Sequence, residues 1–451
     1  MAVDRTRLPA VTTALPFSPP TFTQIRLPDG PRVWTLTHRR APVLAFRLII
    51  PVGAADDPPG QTGLAALTAA LLDEGTESSS SVELHDTLMR LGAHLAVHTS
   101  SDATIVSLTT LPKHAARALG LMIEVASHPR FAADDCERVR DLRLTHLQQM
   151  RRLPSAVASR VFLASVYPHH PYGHVALGTD GDLRGLGADD AVGFHRRWYG
   201  AADWTLIAVG DLPDHALQDL STSALEVAPR RALQVARLSR PDAPPPASRL
   251  FFVSRPTAVQ SEIRLGHVMP PRATADYHAL IVLNMVLGGQ FVSRMNLNLR
   301  EDKGYTYGAR TSIDWRVGPS AFSFQSSIQT DATVGAIGEA IREIRDIGAD
   351  RPVTDHELGL ARAALVLGFP RSFETASQLA RGGVALALHG LAVDEMARFV
   401  DAVNAVDSAA LAQVASSHVN ADGLAVVVVG ASDSVLSPLE DLGLGAPTVM
   451  E

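Results

Sequence analysis

His94 and His98 are the first residues along the chain whose type and spacing could do chemistry. They fall in "AHLAVHTS", a run that predicts a β-strand. Even spacing sends both imidazoles to one face, where they could begin a metal site. No carboxylate pattern converges on them, so they read as solvent-facing. His169 and His170 precede Pro171, with His174 close by, and they read the same way. Cys136, the one cysteine, sits in an arginine-rich helical run that could lower its pKa, yet a lone cysteine there reads as packing. It has no intramolecular disulfide partner, and no thiolate cluster exists for structural zinc. Serines are plentiful, but there is no G-x-S-x-G elbow, no G-x-G-x-x-G and no P-loop. Further on, Arg300 and Tyr307 flank a glycine-containing turn in "LREDKGYTYGA". Taken alone, they read as a solvated surface hairpin.

The elements that must position such residues follow a repeating order. Residues 1–22 are rich in Pro and Thr and predict an extended arm. "RVWTLTHRR" and "VLAFRLIIPVG" predict two strands. "GQTGLAALTAALLDEG" predicts a buried helix stopped by Gly75. "SVELHDTLMRLG" predicts a second helix, with Ser81 as N-cap, Glu83 in the first turn, Leu84, Leu88 and Leu91 on one face, and Gly92 at the end. Two paired strands, two helices over 113–127 and 134–152, and the strand "WTLIAVGDL" complete the unit. A Pro- and Arg-rich stretch over 229–249 then predicts an extended linker.

Beyond it the pattern restarts. Arg47–Leu48 is echoed by Arg264–Leu265, "GLAALTAALL" by "DYHALIVLNMVLGG", and "IAVGDL" by "VVVGAS". These echoes, spaced 217 to 220 residues apart, predict an internal duplication. The fold class is α+β: two homologous halves, 23–228 and 250–451, each a mostly antiparallel sheet with helices on one face. The spacing argues against a doubly wound sheet.

Composition narrows the function classes. A chain of 451 residues, 46% hydrophobic and 19% charged, reads as globular. The formal net charge of −7 leaves no basic field for nucleic acid or anionic lipid. No apolar stretch of about 18 or more residues is visible, which predicts no membrane span. The opening "MAVDRTRLPAVTTALPFSPP" lacks a signal-peptide run. The expectation is therefore cytoplasmic placement, or periplasmic placement if a signal sequence was removed.

The succession "APVLAFRLIIPVGAADDPPGQTGLAALTAALLDEGT", "LGAHLAVHTSSDATIVSLTTL", "HPYGHVALGT" and "WTLIAVGDL" resembles the pitrilysin/insulinase family of zinc peptidases, in its shorter, processing-peptidase-like form. The resemblance implies a helix carrying H-x-x-E-H, whose two histidines bind zinc and whose glutamate activates water. Here Ala66, Ala69 and Ala70 stand at those positions, His146 stands at the position of the third ligand, and Val139 replaces a supporting acid. The resemblance also implies that Arg300 and Tyr307 are the pair that grips the peptide backbone and polarises the scissile carbonyl. A guanidinium fork and a phenol suit that task. Gly288 and Gly289 would form a weaker substrate loop.

The implied protein is not catalytic alone and has no cofactor of its own. It is a zinc-free subunit of a heterodimeric metalloendopeptidase, whose homologous partner holds the zinc and whose substrates are unstructured peptides. The alternative is a purely structural, scaffolding homologue.

Overall fold

The computed structural model describes residues 17–28, 30–200, 203–228, 240–246 and 248–450. The first half contains strands β1 (Thr23–Arg26), β2 (Arg32–Thr37), β3 (Leu44–Ile50), β4 (Gly75–Thr76), β5 (Ser79–Ser80), β6 (His94–Thr99), β7 (Thr104–Thr110) and β8 (Thr205–Gly210). Its helices are α1 (Leu64–Ala70), α2 (Ser81–Arg90), α3 (Ala115–Ser127), α4 (Ala133–Arg152), α5 (Pro154–Val166), α6 (Asp180–Gly185), α7 (Ala188–Trp198) and α8 (Asp214–Glu226). The second half contains β9 (Leu250–Ser254), β10 (Gln260–Met269), β11 (Thr306–Asp314), β12 (Ser320–Gln329), β13 (Ala425–Gly430) and β14 (Thr448–Met450). Its helices include α9 (Tyr277–Asn284), α10 (Arg294–Asn296), α11 (Thr333–Asp346), α12 (Asp355–Gly368), α13 (Ala376–Leu388), α14 (Glu395–Ala405) and α15 (Ser408–His418).

The two main sheets share one topology over five of their six strands. The first runs β1-β2-β8-β3-β7-β6 and the second β14-β9-β13-β10-β12-β11. Each has a parallel pair at the same place, β2 with β8 and β9 with β13, and the second sheet has another at its end, where β14 runs parallel to β9 while β1 runs antiparallel to β2. The register repeats as well. Arg47 lies opposite Ile207 on β8, and Arg264 lies opposite Val427 on β13. The separations of 217 residues between the arginines and 220 between their partners fit a duplicated unit.

Helices of the first half pack on one face of their sheet, but the other face is not left to solvent. Along β8, Leu206 and Ala208 join the core beneath α1, α3 and α8, while Ile207 and Val209 face Ala376, Leu379 and Ala380 of α13. The second sheet mirrors this: Val426 and Val428 face its own helices, while Val427 and Val429 pack on Val157, Ala158 and Val161 of α5. Each half thus lends one helix to the other. This is why β8 and β13 read as unbroken apolar runs, since strands buried on both faces need no alternation.

Other local expectations shift. The α2 N-cap is Ser80, not Ser81: its hydroxyl accepts from the Glu83 N–H, and Glu83 returns the bond to the Ser80 N–H at 2.9 Å. Glu83 is the third residue counted from Ser80, as a capping box requires. Helix α1 ends at Ala70, and Gly75 opens the tight β4–β5 hairpin instead, at φ +125°. A Cβ there would meet Ser79 O at 2.8 Å.

One helical run, Tyr277–Asp302, does reach membrane-spanning length and hydropathy, contrary to the sequence expectation. It is broken at 290–293, and 56% of its apolar window is buried inside the fold, which makes it a core element. The expected arm is described only from Phe17, whose ring packs on Phe369 and Phe373. Of the expected linker, residues 240–246 and 248–249 are described, and they form neither helix nor strand.

Candidate functional site

Helix α1 is held in place with care. The Asp57 carboxylate accepts from the Gly63 and Ala65 N–H groups, both at 2.7 Å, and so caps a helix that has no side-chain cap of its own. The turn before it presses on the loop at Gly178, where a Cβ would meet Thr62 O at 2.2 Å. The chemistry this placement offers is nil. Ala66 and Ala69 are buried, Ala70 is half-buried, and all three present methyl groups. Val139 is buried on α4, and His146 is exposed beside a pocket between α4 and α5. An alanine offers no lone pair, so these positions do not fit a zinc ion. Among the described residues, no group of three His, Cys, Asp or Glu side chains is placed to hold a metal.

The remaining histidines are accounted for separately. His94 and His98 share the exposed face of β6. His169 sits in the loop at φ 56°. The His170 Nδ1 accepts from the Tyr172 N–H at 3.0 Å, so its Nε2 donates to Pro241 O at 2.9 Å. Burial pushes its pKa down and keeps it neutral. His174 supports the α1 cap, with Nε2 3.1 Å from Asp57. The neighbouring Tyr172 joins the halves: its hydroxyl donates to Asp102 at 2.5 Å and accepts from the Gly318 N–H at 3.0 Å. Cys136 is buried, and burial pushes its thiol up, against the opposing field of Arg140. That removes it as a nucleophile.

The second half brings the other expected pair together. Residues 297–302 form a π-helical turn carrying Arg300, and Gly304, at φ +66°, ends it and lets the chain enter β11. Strand β11 is bulged between Thr306 and Ala309 against β12. Bulges re-aim side chains, and Tyr307 leaves the sheet here with 91% of its surface exposed. The freed backbone groups find partners. Asn296 donates to Ala309 O at 2.8 Å and accepts from the Ala309 N–H at 3.0 Å, while Ser326 donates to Gly308 O at 2.8 Å. The Arg300 guanidinium lies 5.4 Å from the Tyr307 ring centre and 4.1 Å from that of Phe291. It is within cation–π reach of both rings, and its contact to Glu301 is loose at 3.6 Å.

The segment is anchored below by Arg294, which pairs with Glu357 at 2.7 and 2.9 Å and donates to Arg351 O and Pro352 O. Gly288 and Gly289 are not a loop. They belong to the π-helical turn of residues 285–289, where a Cβ on Gly288 would meet Thr311 N at 2.6 Å. Close packing against β11 explains Gly288. Asn296, Ser326 and Phe291 were not singled out from sequence; only an asparagine inside a helical run hinted at the first.

Two family profiles match the chain. One described as Insulinase (Peptidase family M16) covers residues 32–180, and one described as Peptidase M16 inactive domain covers 185–365. An uncharacterized zinc protease of Mycobacterium tuberculosis is 27% identical over 366 residues, 79% of this chain and 82% of that protein. A crystal structure of a peptidase M16 inactive domain from Pseudomonas fluorescens matches with a TM-score of 0.85 at 21% identity, over 95% of this chain and 100% of the other. A protease from Helicobacter pylori matches with a TM-score of 0.80 at 17% identity, over 91% and 99%. The two structural likenesses show the fold.

Proposed function

The chain belongs to the insulinase/pitrilysin-like (M16) peptidase family, and from that premise we propose that it is a zinc-free subunit of a heterodimeric metalloendopeptidase. Its partner is a homologous chain with an intact H-x-x-E-H helix, which binds the zinc and activates water. This chain contributes Arg300 and Tyr307. Their donors hold the backbone of an unstructured peptide and favour charge on the scissile carbonyl oxygen.

One observation carries this reading: Tyr307 is turned out of a bulge fastened by Asn296 into solvent, within cation–π reach of Arg300. A large exposed aromatic beside a cation suits recognition better than packing. The alanines on α1 support the same division of labour. Strand β6, at one end of the first sheet, offers a backbone edge on which an extended peptide can pair. The scaffolding alternative needs neither Arg300 nor Tyr307.

The test is the full chain carrying Arg300→Ala and Tyr307→Phe together, co-expressed with a homologue that bears the zinc motif. Peptide hydrolysis by the complex should collapse. Full activity in that double variant would sink the proposal.

A further inference from the structure

Residues 290–293 interrupt the helical run between the π-helical turn of 285–289 and α10. The Ser293 N–H donates to Gln290 O at 3.3 Å and closes a tight turn whose two central residues are Phe291 and Val292. Such positions ordinarily go to Gly, Pro, Asn, Asp or Ser, which bend the chain readily and sit well in water. Here an aromatic and a β-branched residue hold them, 65% and 47% exposed. That breaks the local rule, and such breaks cluster at functional sites.

What holds this turn also holds Tyr307. The buried Asn296 amide donates toward Gln290 O and Ser293 Oγ, both at 3.2 Å. The same side chain makes the two bonds to Ala309 that fasten the β11 bulge. Phe291 and Tyr307 are therefore set from one anchor, with Arg300 in reach of both. The Arg300 guanidinium lies over the Phe291 ring, 4.1 Å from its centre, the shorter of its two ring contacts. Its contact to Glu301, at 3.6 Å, is too long for a hydrogen bond, so its N–H groups remain available to a ligand. A peptide backbone held there runs beside an exposed apolar surface.

We propose that Phe291 is the specificity residue of this site: its ring, with Val292 next to it, receives an apolar side chain of the peptide that Arg300 and Tyr307 hold. The substrates are then unstructured segments with an aromatic or branched aliphatic residue near the scissile bond. This rests on the reading of Arg300 and Tyr307 as backbone-gripping groups, but not on the partner's zinc, so it can be tested on this chain alone.

The test is fluorescence anisotropy of the purified full chain with two labelled, unstructured peptides that differ only in carrying Phe or Ser at one central position. The Phe peptide should bind about tenfold tighter, as expected for partial burial of a phenyl ring. Phe291→Ala should bring the two peptides within about twofold of each other. Phe291→Leu, which keeps an apolar surface but loses the cation–π contact, should retain most of the preference. Arg300→Ala should weaken both peptides alike, and thermal melts should show each variant folded. Three results would overturn the specificity role alone: no preference in wild type, a preference that survives in Phe291→Ala, or an equal weakening of both peptides by that variant. Binding of both peptides that ignores Arg300→Ala, or no binding at millimolar peptide, would overturn the backbone-gripping reading and the specificity role with it.

Discussion

Helix α1 in the first half and the β11 bulge in the second are held with equal care and to opposite ends. Asp57 fastens α1, and what it presents is methyl groups sunk into the core. Asn296 and Ser326 fasten the bulge, and what it presents is a phenol almost wholly in solvent beside a partly exposed arginine. The difference teaches that a rigid support is not itself a sign of chemistry. What matters is whether the supported side chains carry donors and where they point.

Substitutions can break or sharpen that contrast. The largest stability effect should come from Arg294→Ala, which strands Glu357 and frees the segment bearing Arg300. A loss of about 3 kcal/mol is expected from chemical denaturation, in line with breaking a largely buried ion pair. A pH signature goes with it. Burial alone would raise the Glu357 carboxyl, but Arg294 and the Thr354 cap hold it down from 4.5 to about 2. A depressed carboxylate stabilises the fold fully above its unfolded pKa, and that contribution is lost as pH falls through the folded value. Wild type should therefore lose stability between pH 4.5 and about 2, and the Arg294→Ala variant should show a flatter profile there. An unchanged profile would mean that the pair does not couple to folding.

Next comes Ala69→Glu, which places a carboxylate where the chain now has a methyl. Because α1 is closely packed around alanine, a cost of about 2 kcal/mol is expected from overpacking and charge burial. A variant as stable as wild type would mean that the site is still open. Asn296→Ala should cost about 1–2 kcal/mol by leaving the Ala309 backbone groups unpaired. It should also lower the activity of the reconstituted complex, because Tyr307 is no longer aimed. Smallest of all in stability is Tyr307→Ala, expected to change it by less than about 0.5 kcal/mol while still impairing the complex. A large stability loss there would give Tyr307 a structural role and weaken the contrast.

The duplication was legible because Arg47–Leu48 and Arg264–Leu265 occupy matching register positions, and sequence alone carries that echo. Arg300 and Tyr307 were legible only through a resemblance, since as isolated residues they suggested a solvated hairpin. The exchange of α5 and α13 was not visible, because the apolar face of a helix does not say which sheet it will meet. The bulge was hidden for a similar reason. It depends on Asn296 reaching across to Ala309, a contact that no local periodicity records. The resemblance suggested a substrate loop at Gly288 and Gly289, whereas the close approach of Thr311 is what calls for glycine at 288.

The most direct measurement is the metal content and peptide hydrolysis of the purified chain, alone and after co-expression with the homologue that carries the zinc motif. The account predicts neither zinc nor activity in the chain alone, and both in a chelator-sensitive complex. Stoichiometric zinc and cleavage by the chain alone would contradict it, and the ligands would have to lie elsewhere than on α1.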